Sequence, residues 1–514
     1  MLLFLQNSVI LSSVYRCWLD SRFFALLSLI WTPFKNAYND LLLVKLLRKP
    51  DSVQRVYSNS LFARLLRFIC DVITMLVAAV VNPFKNAAET SLILRLCRGS
   101  RLLNFEFLLG AFICGMFITP HELWNNSYAV LAAFGFLFLY FIMAGCGKRR
   151  IMYPDELGLP FMLFAIVLVL SLLFSHALSD SLRILVFYMA SFAFMYVIAA
   201  DISNIKRLEK LMDFIYIALI LTSLYAVAQR VFGLVYVSAS FTDLRANVGV
   251  PARVTSTLDN PNNFSEFIVL FLPLCAAFAG TRKSVLRSTV LCMGLALPAL
   301  ALVMTYSRSG WISIMLAVFV YVWLRNKKLI PALVILSLMA VPFLPDSIMT
   351  RIMSLVSSFS NNGHVDTSAA HRLALWQGVS YMIRDYGVTG IGLGPASFNS
   401  LYPDYAQLGA VDGAYHTQTL YLELILEVGI LGLVSFIWMA LRNIKNIVVA
   451  RRGAGPVLKP VLIACAAALI GIAFSCCVEY IWFYPRNMFA YFILFGISIA
   501  AVNMANTKET KDTL

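Results

Sequence analysis

Apolar runs long enough to cross a bilayer recur along this chain from residue 104 to residue 504, and they decide its fold class before any motif is weighed. A membrane helix needs about 20 consecutive apolar residues, because a rise of about 1.5 Å per residue must cover roughly 30 Å of hydrocarbon. Twelve runs come close to that length: 104–119, 128–146, 158–177, 182–200, 211–232, 263–280, 285–305, 309–325, 329–345, 418–441, 458–478 and 484–504. In lipid the backbone must satisfy its own polar groups, so each run reads as a helix. With 60% hydrophobic and 13% charged residues and a mean hydropathy of +0.80, no soluble core could hide this surface. The expectation is an all-α polytopic membrane protein with about twelve transmembrane helices. Nine would lie in 104–345 and three in 418–514, with one long loop, 346–417, carrying short amphipathic helices.

A net charge of +15 would suggest nucleic acid in a soluble chain, but here its distribution reports topology. Basic residues gather in alternate loops: Lys148, Arg149 and Arg150; Lys206, Arg207 and Lys210; Arg282, Lys283 and Arg287; Arg325, Lys327 and Lys328; Arg442, Lys445, Arg451, Arg452 and Lys459. These loops are expected to be cytoplasmic. The intervening set, including 233–262 and 346–417, has scattered Arg and no Lys, so both long loops are expected to face outward. No nucleic-acid partner is expected.

Residues 1–103 stand apart and contain a two-copy repeat. Thr32-Pro33-Phe34-Lys35-Asn36-Ala37 returns as Asn82-Pro83-Phe84-Lys85-Asn86-Ala87. Two copies are too few for a solenoid. Arg64, Arg67 and Asp71 form one stripe of a helix opposite Leu65, Leu66, Phe68 and Ile69, which suits a helix lying at the cytoplasmic membrane interface. A hairpin formed by 22–31 and 61–82 is the alternative. No cleavable leader is evident at Met1 to Leu5. The ten cysteines fall in expected spans or in the N-terminal region, so neither a disulfide nor a zinc site is expected.

One polar segment interrupts the apolar pattern. It runs His371-Arg372-Leu373-Ala374-Leu375-Trp376, then Gly390-Ile391-Gly392-Leu393-Gly394, then Tyr415-His416-Thr417-Gln418-Thr419-Leu420-Tyr421-Leu422-Glu423, with Glu427-Val428-Gly429 following. Taken alone, each residue has a plain structural reading: a solvated Arg, a tight glycine turn, a His at a helix start. Arg372 is expected to open an amphipathic helix whose shared face is Leu373, Trp376, Val379, Met382 and Ile383, with Gly387 as its stop. Arg308, in Thr305-Tyr306-Ser307-Arg308-Ser309-Gly310, sits between two spans at the expected outer surface, where it could simply snorkel.

The order of these residues over about 240–440 resembles the signature of the bacterial O-antigen ligase and O-antigen polymerase superfamily, which transfers a glycan from a polyprenyl diphosphate carrier at the outer face of the plasma membrane. The resemblance implies a glycosyltransferase in that membrane, with a polyprenyl diphosphate-linked glycan as donor, a lipid- or polymer-linked glycan as acceptor, and membrane lipid around both. Arg308 and Arg372 are then expected to bind the diphosphate, since a guanidinium fork pairs with phosphate oxygens and keeps its proton. His416 is expected to act as general base on the acceptor hydroxyl. Thr417 stands where the family usually carries Asn. Arg253, Asn260, Asn262, Trp376 and Tyr421 are the further substrate-contact candidates, Asn260-Pro261-Asn262 being a helix-start device first. His364, Asp366, His371 and Asp412 match no metal spacing, so no metal and no cofactor are expected. Ligase and polymerase share these residues; the length of the 346–417 loop favours ligase. A transporter or flippase could also have twelve spans, but similarity between its two halves would be expected, and 104–514 shows none.

Overall fold

The structure, a computed structural model, describes residues 9–21, 52–81, 104–235, 252–340, 367–409 and 414–507, with a few isolated positions besides. Every regular element among them is helical. The main helices, in chain order, are α1 Val9–Leu19, α2 Ser52–Ser58, α3 Leu61–Val81, α4 Phe105–Ile118, α5 Asn126–Gly145, α6 Leu159–Leu170, α7 Leu178–Asp201, α8 Ile205–Val231 and α9 Pro261–Ala279. They continue as α10 Val285–Met304, α11 Arg308–Arg325, α12 Ile330–Ala340, α13 Thr367–Tyr386, α14 Pro395–Gly409, α15 Leu420–Ala450, α16 Leu458–Ser475 and α17 Pro485–Asn506.

Nine of these, α5, α7 to α11 and α15 to α17, are long and apolar enough to cross a membrane, and two shorter apolar helices, Phe105–Ile118 and Leu159–Phe174, sit where two more spans were expected. The expected span 329–345 is described only as far as α12, so the total of twelve lies partly outside the described residues.

Burial orders the bundle. In α9, α16 and α17 about four-fifths of the apolar stretch is enclosed by protein, against about a quarter in α5, α10 and α11. The first three are therefore central and the others face lipid. Lipid does not drive helices together by the hydrophobic effect, so close backbone approach has to do it. Small residues permit this at two seams. A Cβ on Gly471 of α16 would meet the Ser313 carbonyl of α11 at 2.7 Å, and one on Gly496 of α17 would meet the Met195 carbonyl of α7 at 2.7 Å.

The two sets of loops separate to opposite ends of the bundle, as the charge pattern requires. At the lysine-rich end, Arg149 bonds Glu106 and Asp201, Arg207 bonds the same two carboxylates, and Arg442 and Arg451 donate to the carbonyls of Leu157 and Leu324. Helix α3 packs at this end. Arg67 pairs with Asp155, Tyr153 donates to Asp71 at 3.0 Å, and Gly145 lies against the backbone of Thr74 and Ala78. Arg67 and Asp71 of its polar stripe thus bond the protein, while Arg64, Leu65, Phe68, Ile69, Met75 and Leu76 are exposed. Most of the repeat in residues 1–103 lies outside the described residues.

Three sequence readings change. Helix α13 begins at Thr367, so Arg372 lies in its second turn instead of opening it. Its buried face is Leu375, Val379 and Met382, packed on Phe398, Tyr402 and Ala406 of α14; Leu373 is exposed. Cys476 and Cys477 lie just past the end of α16, in a turn between α16 and α17, and the described cysteines are all unpaired.

Candidate active site

At the end opposite the lysine-rich loops, four pieces of chain converge: the start of α9, the turn before α11, helix α13 with the 414–419 turn, and the 476–484 turn. Their meeting is set by backbone bonds. Leu420 N–H and Thr419 Oγ1 both donate to the Cys476 carbonyl at 3.0 Å, which fixes the α15 entry against the end of α16. Val254 N–H donates to the Met304 carbonyl at 3.3 Å, which ties the segment before α9 to the turn before α11.

The entry to α15 is built to hold one conformation. Gln418 has φ 57°, a left-handed geometry that costs a non-glycine residue about 1–3 kcal/mol. Three contacts hold it there. Thr417 N–H donates to Glu423 Oε2 at 2.7 Å, Trp376 Nε1 donates to the Thr417 carbonyl at 2.9 Å, and Gln418 N–H donates to His416 Nδ1 at 3.0 Å. Helix start and turn are thus held by Glu423 one turn inside α15, and the Thr417 hydroxyl donates to the Thr419 carbonyl at 2.9 Å without capping the helix.

From this turn a polar chain runs across the end of the bundle. Arg372 donates through Nε to Gln418 Oε1 at 2.9 Å and through Nη2 to Glu479 Oε1 at 3.1 Å. The same Glu479 oxygen accepts Asn262 Nδ2 at 3.1 Å, and Asn262 Oδ1 accepts Arg253 Nη2 at 2.6 Å. Arg253 Nε in turn reaches the Thr305 carbonyl at 2.8 Å. Asn260 caps α9 by accepting the Asn262 N–H at 2.8 Å, the helix-start role expected of it. Arg308 is the first residue of α11, capped by Ser307; two residues on, Gly310 packs against Ser265, whose hydroxyl donates to the Asn262 carbonyl at 2.7 Å.

His416 sits over aromatic rings, with centroids 4.6 Å from Phe483 and 5.6 Å from Tyr480. Burial, and then the positive charge of Arg372, push its imidazole down to about 4, so the ring is neutral at physiological pH. Because Nδ1 accepts a backbone N–H, the neutral ring carries its proton on Nε2 and presents a donor there. In this arrangement the ring lone pair at Nδ1 is engaged by the Gln418 N–H.

Behind the turn, the Gly390–Gly394 run is a tight packed turn, as expected of it, and not a phosphate cradle. Its N–H groups are used internally: Ile391 and Gly392 bond the carbonyls of Leu426 and Glu427, and Gly394 bonds Glu427 Oε1 at 2.8 Å. Gly429 opens α15 to receive it, with φ 73° and ψ 176° inside the helix, and a Cβ there would meet the Val388 carbonyl at 2.3 Å. Tyr480 donates to the same Glu427 oxygen at 3.1 Å; burial and that carboxylate raise its phenol, so it stays protonated.

Of the eight residues expected in the site, Arg372, His416, Arg253 and Asn262 come together, with Asn260 beside them and Arg308 on the adjoining turn. Trp376 positions the His416 turn. Tyr421 donates to the Ala473 carbonyl at 2.9 Å and belongs to the packing of α15 on α16. Glu479, Gln418, Tyr480 and Phe483 are the additions. The signal for Glu479 was a carboxylate in an aromatic-rich turn between two spans, Glu479-Tyr480-Ile481-Trp482-Phe483-Tyr484. His364, Asp366 and Asp412 lie outside the described residues, and among the described residues no three His, Cys, Asp or Glu side chains group in a way that could hold a metal ion.

Residues 293–437 match the family model described as O-antigen ligase, in agreement with the superfamily that the motif order resembles. The matched stretch contains Arg308, Arg372 and His416; the cluster extends past it on both sides, to Arg253 and Asn262 and to Glu479 and Tyr480. No curated protein matches the chain.

Proposed function

From a multi-pass membrane protein whose residues 293–437 match the O-antigen ligase domain, we propose a glycosyltransferase that moves a glycan from a polyprenyl diphosphate carrier to a hydroxyl of a lipid- or polymer-linked glycan, at the outer face of a bacterial plasma membrane. The observation that carries this reading is the chain Arg253–Asn262–Glu479–Arg372–Gln418, laid across one end of the bundle beside His416.

The chemistry follows from the leaving group. When the sugar C1–O bond breaks, the electron pair departs on a lipid diphosphate, so cations are needed where that charge grows. Arg372 and Arg253 supply it beside the turn that carries Arg308, and their planar forks fit phosphate oxygens. The neutral His416 donates from Nε2 to an oxygen of the reacting sugar phosphate. Phe483, half-buried beside His416, offers a ring that suits the apolar face of a sugar.

A transporter would place its site at the midplane on broken helices. The break at Gly429 is filled instead by the chain's own Val388 and Gly390, and the charged cluster lies at the bundle end. Ligase is the form we favour, on the long 346–417 loop.

The test is product formation in proteoliposomes given a carrier-linked glycan and either a lipid-core acceptor or a second carrier-linked unit. A new glycosidic bond on the first supports ligase, and on the second polymerase. Translocation without bond formation would sink the transferase reading. Lys at both 308 and 372 keeps the charge but loses the fork, and donor affinity should fall about tenfold or more; unchanged affinity and turnover would remove the diphosphate assignment.

A further inference from the structure

Among the described residues Glu479 is the one carboxylate within hydrogen-bond reach of Arg372, and its two oxygens are used unequally. Oε1 takes both Arg372 Nη2 and Asn262 Nδ2 at 3.1 Å, while Oε2 accepts no hydrogen bond among the described residues. The Glu479 side chain is 17% exposed, enough for that oxygen to meet a ligand. Arg372 likewise has a nitrogen, Nη1, with no bond among the described residues. An arginine fork closed by one carboxylate oxygen, with an open edge on each partner, is the arrangement that an entering phosphate would rebuild, because phosphate can offer two oxygens to the fork where Glu479 offers one.

Resting on the transferase reading above, we propose that Glu479 holds the place of the donor phosphate in the empty site and, once displaced from Arg372, takes the proton of the acceptor hydroxyl. The acceptor O–H bond breaks and its proton passes to Glu479. The acceptor oxygen forms the new bond to the sugar C1, and the C1–O bond to phosphate breaks with its electron pair leaving on the lipid diphosphate. Glu479 then returns its proton to the departing diphosphate or to water and closes on Arg372 again. This division of labour fits His416, whose Nδ1 is occupied and whose Nε2 bears the proton. Asn262 keeps the displaced carboxylate within the site, through a neutral amide that cannot follow Arg372 onto the phosphate as a charge.

The experiment compares wild type, Glu479→Gln and Glu479→Asp in the full chain reconstituted in nanodiscs, with a fluorescent polyprenyl diphosphate-linked glycan as donor. Donor binding and product formation are read separately. Glu479→Gln removes the competing charge, so donor should bind several-fold more tightly while turnover falls about 100- to 10,000-fold, the loss expected when a general base is removed. An acceptor with a more acidic hydroxyl, such as an analogue carrying a free phenol at the accepting position, should recover much of that loss in Glu479→Gln and change wild type little, because it needs no base. Glu479→Asp should retain part of the activity.

Near wild-type turnover in a folded Glu479→Gln protein would overturn the proposal. So would a turnover loss that the acidic acceptor does not relieve, or donor binding that weakens in Glu479→Gln, since either assigns Glu479 to holding the site together. Failure of wild type itself to form any glycosidic bond would strike the transferase reading and not this one.

Discussion

Two arginine networks close the two ends of this bundle, and they are built on different terms. At the lysine-rich end Arg149 and Arg207 each meet both Glu106 and Asp201, so two guanidinium groups are balanced by two carboxylates, one of them fully buried. At the other end the groups linking Arg253 to Arg372 are the amide of Asn262 and the single carboxylate of Glu479, with the amide of Gln418 beyond. In both networks a carboxylate oxygen serves two donors, Glu106 Oε1 and Asp201 Oδ1 in the first and Glu479 Oε1 in the second, but Glu479 is shared by one guanidinium and a neutral amide instead of by two guanidinium groups. Arginine at a helix end is therefore not by itself a functional signal. What separates the two ends is what shares each carboxylate: two guanidinium groups at one, and Arg372 with the Asn262 amide at the other.

The largest effect expected from breaking this contrast is on folding, and it belongs to the balanced end. Arg149→Ala strips one cation from the fully buried Asp201, and breaking a buried pair from one side costs about 3–5 kcal/mol. Folded yield in the membrane should drop sharply, while whatever protein survives should bind carrier-linked donor normally. Arg372→Ala should do the reverse. Its side chain is 23% exposed and its carboxylate partner is not fully buried, so yield holds, but loss of charge-assisted bonds worth about 1.5–3 kcal/mol lowers donor affinity roughly 10- to 100-fold. Size-exclusion profiles and donor binding on the same preparations check both. Equal loss of yield in the two variants, with donor affinity untouched in Arg372→Ala, would erase the distinction between the ends.

A second comparison separates the two roles open to His416. Its removal as His416→Ala should leave insertion and donor binding intact and cut turnover about 100- to 1,000-fold, the cost of one well-placed donor in a developing oxyanion site. Gln at this position keeps an N–H near the place of Nε2 but cannot accept a proton. If His416 donates, His416→Gln should recover a large part of the activity lost in His416→Ala. If it is the base that the family resemblance implied, Gln and Ala should be equally dead, and Gln418 must then release Nδ1 during the reaction.

How much of this was legible in the sequence differs between the two levels. The spans were, because length and apolarity are what a bilayer demands of a helix, and the alternating Lys and Arg separated the loops into the two ends that the structure shows. Arg372, His416, Arg253 and Asn262 were marked as candidates, and the structure brings them together. Leu373 was misplaced because helical periodicity fixes the spacing of a face and not its rotation: Leu375 faces α14 instead, a helix the spacing had not located. Glu479 was not marked. It lies 107 residues from Arg372 in sequence, and only the packing of the α16 end against the 414–419 turn brings the two to 3.1 Å. Long-range polar contacts of this kind leave no local pattern to read.

The last predicted effect is on stability against pH, and it tests whether burial and Arg372 set the state of His416. The imidazole is depressed from its ordinary 6.5 to about 4 in the folded protein. Between those values the unfolded chain binds a proton that the folded chain does not, so acidification favours unfolding across that window. The contribution is flat above about pH 7, is lost progressively as pH falls from 6.5, and levels off once the folded ring also protonates near 4. Thermal midpoints of detergent-solubilised wild type and His416→Gln, measured from pH 7.5 to 4.5, should therefore converge with acidification if wild type starts higher, since only wild type carries this term. Taking the difference between the two proteins cancels the other titrating groups. Arg372→Ala removes the second cause of the depression and should shrink the convergence without abolishing it, because burial remains. Curves that stay parallel across the window would mean that His416 titrates near its ordinary value, and that the 414–419 turn is open to water instead of sealed against Tyr480 and Phe483.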